Sequence, residues 1–405
     1  MSPTARLPLV VVAVSTLFWP GCVSESHRRS AGGPVVVIPV PLPAVVGASD
    51  GVRVDDGSGL DEAPGDRVVT STIGCPDSAH ASLALGVAAA QEDGHEQVFV
   101  CEGEYVEDET IDIYTDLAVV TDPHGEGVVV DSTAVPVFAA EGVSRELPPI
   151  EVALGAMEVR CPTFSRDRYG PTLDSIGLEL YAADLSLHHV DWMGCGVGVL
   201  RADGLATERL AVHGGAFVDG GHAMYLWGDG LELEVVGTIF EGLSDEAFAL
   251  SPDARDGTAP AVYSFDDVTV VDNAIHFGGA LFSMQCLADA GPELEVRNSR
   301  LVRNISTLED WGGAGGVFYV GSGCSAATVY VEDSVVAANR SATTDAGAAT
   351  VYAGRFVSVD TDWGETGTAF DNRPVDINFG GVVALRDIDG VASFDCTAGH
   401  GGYCE

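Results

Sequence analysis

Apolar and polar positions alternate in short bursts along the second half of the chain. VYSFDDVTVVDN (262–273), ELEVRNSRLVRN (293–304) and TVYVEDSVVAAN (328–339) each begin with strict alternation and end on asparagine. LELEVVGTIFEG (231–242) and RFVSVDTDWGET (355–366) resemble them when aligned on the terminal Asn or Gly. The window starts lie 31, 31, 35 and 27 residues apart. Alternation of this kind is that of a half-buried strand. A second apolar run follows each of the first four windows: AFALS, HFGGALFSM, GGVFYVG and ATVYAG. A repeat unit this small cannot bury its apolar face alone, so neighbours must stack. Helical solenoids need Ala- and Leu-rich runs at 3.6-residue spacing, whereas these runs are short and Val-rich. Propeller blades need four antiparallel strands per unit, and these units supply two clear ones. Strand, Asn or Gly turn, strand and polar loop make one coil of a parallel β-helix. Asparagine is expected to supply the left-handed backbone at the corner. Residues 71–396 then form roughly a dozen coils, about 50–60 Å long, right-handed by the crossover rule.

Near the front, PDSAHASLALGVAAAQEDG predicts a helix with a capping Asp or Ser and an end at EDG. The strands QVFV and TIDI follow, with EGEY between them. An uncovered solenoid end presents unpaired strands and apolar side chains, so a cap is required there. The run VFVCEGEYVE resembles the opening of pectate-lyase-like β-helix proteins, in which a helix covers the first coil. VVDN, LVRN and VAAN (Asn273, Asn304, Asn339), with the pairs Gly278–Gly279 and Gly312–Gly313, resemble the repeats of polymorphic outer-membrane proteins. Val270, Leu301 and Val336 stand where those repeats carry Phe. These resemblances imply an all-β, single-stranded right-handed parallel β-helix with an N-terminal capping helix. They also imply display at a cell surface, with an adhesive role.

Residues 1–22 read as an export signal. Arg6 precedes the short apolar run LPLVVVAVSTLF, and FWPGC resembles a lipobox ending at Cys22. Lipidation of Cys22 would anchor the chain to an envelope membrane; ordinary signal cleavage is the alternative. Residues 23–70, rich in Pro, Gly, Ser and acid, are expected to be a flexible linker, and 397–405 a tail. The other eight cysteines form an even set, which in an exported chain argues for disulfides. Cys286 lies eight residues after Gly278 and Cys324 nine after Gly315, so they hold equivalent places in consecutive units. Sequential pairing is expected: Cys75–Cys101, Cys161–Cys195, Cys286–Cys324 and Cys396–Cys404.

Charge narrows the partners. The chain carries 61 acidic residues against 19 basic ones, for a formal charge of −42. All the basic residues are arginine. Nucleic acid is excluded as a partner, because no basic face neutralises phosphates. Arg297, Arg300 and Arg303 are expected on one strand, alternating faces and so not converging.

Parallel β-helices include enzymes acting on polysaccharides, and that chemistry needs convergent acid and base groups. The best cluster the sequence offers is His188, His189 and Asp191, with His213, Asp219 and His222 one coil on. Asp360, Asp362 and Asp371, with Glu365 and Asp376, make an oxygen-rich stretch suited to Ca²⁺. GHG at 399–401 lies outside any coil. No zinc-type CxxC spacing, nucleotide-binding loop or hydrolase serine motif is present. The expectation is a non-enzymatic surface protein contacting polysaccharide or another cell surface. A polysaccharide lyase or glycoside hydrolase is the alternative.

Overall fold

The computed structural model describes residues 70–398, apart from 77, 122–126, 144–147, 163–174, 202–208, 229, 253–259, 277–279, 287–290, 308–315, 343–345, 381 and 389–395. The signal, Cys22, the linker, both glycine pairs and Cys404 lie outside the described residues. Strands dominate, and the helix Leu83–Glu92 is the only one among the described residues. Three long sheets carry twelve, nine and eleven strands. The chain visits them in rotation, with Gln97–Val100 in the first, Gly103–Glu107 in the second and Ile111–Ile113 in the third. Pairing is parallel in all three, as at Leu185–Leu210, Trp192–Phe217 and Met224–Phe248. This is a parallel β-helix, each coil one strand deep in each wall. The twelve strands of the first sheet match the expected dozen coils.

The expected windows fall into register with one shift. Val262 pairs with Glu293, Glu293 with Thr328 and Thr328 with Arg355, so four windows are aligned from their first residues. Glu232, the second residue of the remaining window, pairs with Val262. The cause lies at the corner that ends the second-sheet strands, where two adjacent positions play different roles. The left-handed residue there is Gly242, Asp272, Arg303 or Ala338, with φ between 56° and 68°. Asn273, Asn304 and Asn339 come one position later and are almost wholly buried. Their expected role as left-handed corner residues is therefore corrected: they point inward and form a ladder. Asn273 Nδ2 donates to Asn304 Oδ1 (2.9 Å), Asn304 Nδ2 to Asn339 Oδ1 (3.0 Å) and Asn339 Nδ2 to Asn372 Oδ1 (3.0 Å). Each also donates to the main chain of the preceding coil, at Phe240, Val270 and Leu301. A coil corner turns main-chain groups away from the sheet ladders, and each amide takes up one N–H and one carbonyl, as Asn304 does for Asn273 N–H and the Val270 carbonyl.

Inside the solenoid, like residues stack on like. Trp192, Phe217 and Phe240 follow one another on the second sheet, at 6.3 and 5.2 Å between ring centroids. Phe248, Phe282 and Phe318 do so on the third, at 4.6 and 5.2 Å. Phe265 reaches both Phe248 and Phe282 from the first sheet. Gly198 is required beside this column, since a Cβ there would lie 2.6 Å from Phe217 and 2.7 Å from the Ala223 carbonyl oxygen.

The helix caps the first coil as expected. Ser82 is its N-cap, and Leu83, Val87 and Ala90 are buried. Glu107 Oε1 accepts from Leu83 N–H (2.6 Å), and Gln91 Oε1 from Tyr114 N–H (2.7 Å). Tyr105 donates its hydroxyl to the Cys101 carbonyl (2.7 Å). The Glu of the opening motif thus ties helix to coil, and the Tyr joins main-chain groups of the first two coils.

Three expected disulfides are formed, Cys75–Cys101, Cys161–Cys195 and Cys286–Cys324, with Cα separations of 5.2, 4.9 and 5.0 Å; the fourth, Cys396–Cys404, falls outside the described residues at Cys404. Each joins adjacent coils. Cross-links of this kind belong to an oxidising compartment, which supports export. Arg297 and Arg300 sit on different strands, separated by the left-handed Asn298. The expectation of a single strand is corrected, although the three arginines still do not converge: Arg297 pairs with Glu295 and Glu332, and Arg303 with Asp272.

Candidate functional site

On the eleven-stranded sheet, inward and outward columns differ sharply. Met224, Phe248, Phe282 and Phe318 line the core. The alternate positions, Leu200, Tyr225, Ala249, Ser283, Tyr319 and Thr350, follow one another coil by coil on the side away from the core, where all but Tyr225 and Tyr319 are buried. Leu200 and Tyr225 pack with Ile176 and Val197 in a small apolar cluster separate from the core. Tyr181 and Trp227 end their strands on this face and are 40% and 44% exposed. Tyr319 and Tyr352 meet edge to face at 5.9 Å.

Within this aromatic face lie two buried ionisable side chains, His222 and Glu246. His222 begins its strand, and its ring stands edge-on to Tyr225 at 5.6 Å. Its Nδ1 lies 2.7 Å from the Glu246 carbonyl oxygen. A carbonyl only accepts, so Nδ1 carries the proton. Burial lowers the pKa of His222, leaving Nε2 as a bare acceptor at neutral pH. Nε2 has no hydrogen-bond partner. Burial pushes the Glu246 carboxyl up to about 8, the neighbouring Asp245 adds to the rise, and a hydrogen bond with Ser283 partly opposes it. Glu246 Oε1 is also unpartnered, as is Thr350 Oγ1 further along the column. At neutral pH the site therefore presents one acidic O–H and one bare imidazole nitrogen.

Stability should report the state of Glu246. Its folded pKa is raised, so the stabilisation from the protonated form is complete below the ordinary glutamate range and lost as pH rises through about 8. Glu246→Gln removes this dependence, and its urea midpoint is expected to gain on the wild type steadily from mildly acidic pH to above 8. Parallel pH profiles of the two proteins would place the proton elsewhere.

The residues expected from sequence are divided among three places. His188 and His213 pair in register on the first sheet, and their rings stack at 5.3 Å. Burial, then His213 and His189, lowers the pKa of His188. His189 is the left-handed residue of the bend that follows, and Asp191 begins the next strand beside Glu158. Burial, then Glu158, raises the pKa of Asp191. Asp219 does not join them. It is the left-handed residue at the far end of the second-sheet strands, and its Oδ1 lies so close to Gly242 that a Cβ there would be 2.4 Å away. The expected cluster is corrected accordingly: His188, His213 and Asp191 share one corner, Asp219 occupies another, and His222 belongs to the outer face of the third sheet. Glu246 was missed. The signal available for it was an acid directly ahead of the apolar run AFALS.

The oxygen-rich stretch does not gather either. Asp360 is a left-handed bend residue. Asp362 Oδ1 accepts from Gly364 N–H (2.9 Å), Asp371 Oδ2 from Gly367 N–H (2.8 Å) and Asp376 Oδ1 from Asn372 Nδ2 (2.8 Å). Among the described residues no three His, Cys, Asp or Glu side chains converge to hold a metal ion. Asp360, Asp362 and Asp371, expected as Ca²⁺ ligands, are thus not brought together: Asp362 and Asp371 tie turns, and Asp360 forms a bend.

No protein-family model matches the chain, and no curated protein matches it. Among solved structures it is similar to the A-module of the mannuronan C-5 epimerase AlgE4 of Azotobacter vinelandii, at 11% identity and a TM-score of 0.38, over 79% of this chain and 93% of that one. The two chains share too little for that enzyme's chemistry to be read across. What the coil geometry defines is a parallel β-helix with an aromatic outer face on one wall.

Proposed function

We propose that the protein is an exported β-helix that binds uncharged polysaccharide, as a non-enzymatic surface or adhesion protein, along the outer face of its eleven-stranded sheet. The observation that carries this reading is the set of rings on that face: exposed Tyr181 and Trp227, with half-buried Tyr225, Tyr319 and Tyr352. Flat aromatic faces with polar edges suit sugar rings, which are apolar on their C–H faces and polar at their hydroxyls. The formal charge of −42 disfavours polyanionic glycans and leaves neutral ones. A stacked solenoid wall offers contact over several coils, as a polymer requires. Anchoring through Cys22 would hold this face at the cell envelope.

The test is retention of the full chain on a panel of neutral, aminated and anionic polysaccharides, read together with product release. Neutral polymers should retain it without turnover. Trp227→Ala is expected to weaken retention about tenfold, roughly the ~1.4 kcal/mol carried by one well-placed ring. New reducing or unsaturated ends would replace the binding reading with the enzymatic one.

A further inference from the structure

A buried polar atom without a partner costs roughly 1–3 kcal/mol, and native proteins keep few of them. The outer face of the third sheet holds three: His222 Nε2, Glu246 Oε1 and Thr350 Oγ1. His222 is 2% exposed and Glu246 6%. Packing alone does not account for this placement. An apolar pair of the same size would extend the cluster of Ile176, Val197 and Leu200 at no such cost. The two groups are also complementary, because a carboxyl O–H donates where a bare imidazole nitrogen accepts. The other charged clusters are satisfied within themselves, as at Asp362, Asp371 and Arg303.

We propose that His222 and Glu246 form the recognition pair of the glycan face, reading adjacent hydroxyls of an uncharged sugar. The carboxyl O–H of Glu246 donates to one hydroxyl, and Nε2 of His222 accepts from the next. This rests on the polysaccharide-binding reading above and assigns its specificity. Adjacent ring hydroxyls supply the acceptor and the donor that the two side chains lack. A carboxylate on the sugar has no donor for Nε2, and it meets a strongly acidic protein. His222 and Glu246 are buried, so Tyr225, half-buried and edge-on to His222, is required to turn aside for the ligand. The pair also imposes a pH window, since above about 8 Glu246 loses the proton that it donates.

The experiment measures retention of the full chain on a neutral glucan, a neutral mannan and polygalacturonate at about pH 6.5 and 9, on either side of the raised carboxyl pKa. Expected is retention by a neutral polymer at the lower pH, about a tenfold loss at the higher pH, and none by polygalacturonate at either. Glu246→Gln keeps a donor, so it should bind at both pH values and abolish the step. Glu246→Leu and His222→Phe should each lose about tenfold or more, as for one lost hydrogen bond and a stranded partner. If Glu246→Leu binds like the wild type while Trp227→Ala does not, the pair is not the reader, and the aromatic face stands alone. A pH step that persists in Glu246→Gln overturns the pair even if the leucine variant fails to fold. If no neutral polymer retains the wild type, the pair and the glycan-binding reading fall together.

Discussion

Asn304→Leu is expected to destabilise the β-helix by about 4 kcal/mol, several buried groups losing partners worth roughly 1–3 kcal/mol each. Asn304 is wholly buried and sits mid-ladder. Its Oδ1 accepts both from Asn273 N–H (3.2 Å) and from Asn273 Nδ2 (2.9 Å). Its Nδ2 donates to the Val270 carbonyl oxygen (3.0 Å) and to Asn339 Oδ1 (3.0 Å). Leucine matches the volume and none of these bonds, and water has no route to replace them. Coil stability is a sum of nearest-neighbour terms, so the loss should be local. Hydrogen exchange should accelerate most over residues 270–340, ahead of the capping helix. Uniform acceleration along the solenoid, or a shift of urea midpoint no larger than that of a surface substitution, would show that the ladder does not set the local stability.

Phe282→Ala should cost about as much, roughly 3–5 kcal/mol for an aromatic ring removed from a packed core. The reason is different. Phe282 is 1% exposed and touches three rings: Phe248 at 4.6 Å, Phe265 at 4.9 Å and Phe318 at 5.2 Å between centroids. Main-chain pairing above and below, with Phe248 and Phe318, holds the two neighbours in place. The walls cannot collapse into the gap without breaking sheet register, so the cavity persists. Phe282→Leu should recover more than half of the loss. Equal urea midpoints for the alanine and leucine variants would mean that the site relaxes, and that ring stacking contributes little. The two tests also separate polar from apolar sources of coil stacking, because Asn304 serves a corner and Phe282 a wall.

The register of four coils was legible because each window begins on the same wall, and alternation is a local signal. The capping helix was legible too, with an Asp or Ser cap and an end at EDG, although only the structure picked Ser82 as the cap. Three sulfur pairs were readable because equivalent places in adjacent coils touch. The corner was misread for a definite reason. Gly242 and Asn273 both sit near the end of a window, and both are residues that tolerate left-handed backbone. Only the pairing of Glu232 with Val262 showed that Gly242 matches Asp272, which frees Asn273 to point inward. Asn372, the last rung, lies in no aligned window at all.

Sequence alone determined the class of fold, because period-two alternation, short Val-rich runs and a repeat of about thirty residues leave few other ways to bury apolar surface. It also determined the excess of acid over base, and with it the expectation against a nucleic-acid partner, which depends on counts of charge and not on shape. Tertiary structure decided where chemistry gathers. His188 and His213 are 25 residues apart and stack, whereas Asp219, only six residues beyond His213, lies at another corner. Residues close in sequence are carried to different walls within one coil, and residues a full coil apart are set side by side. Coil lengths here vary with loops of unequal size: Val98 pairs with Val119, 21 residues on, and Val119 with Leu154, 35 on. No fixed spacing could therefore have brought His222 and Glu246 together, and the burial that sets their protonation exists only once the coils have stacked.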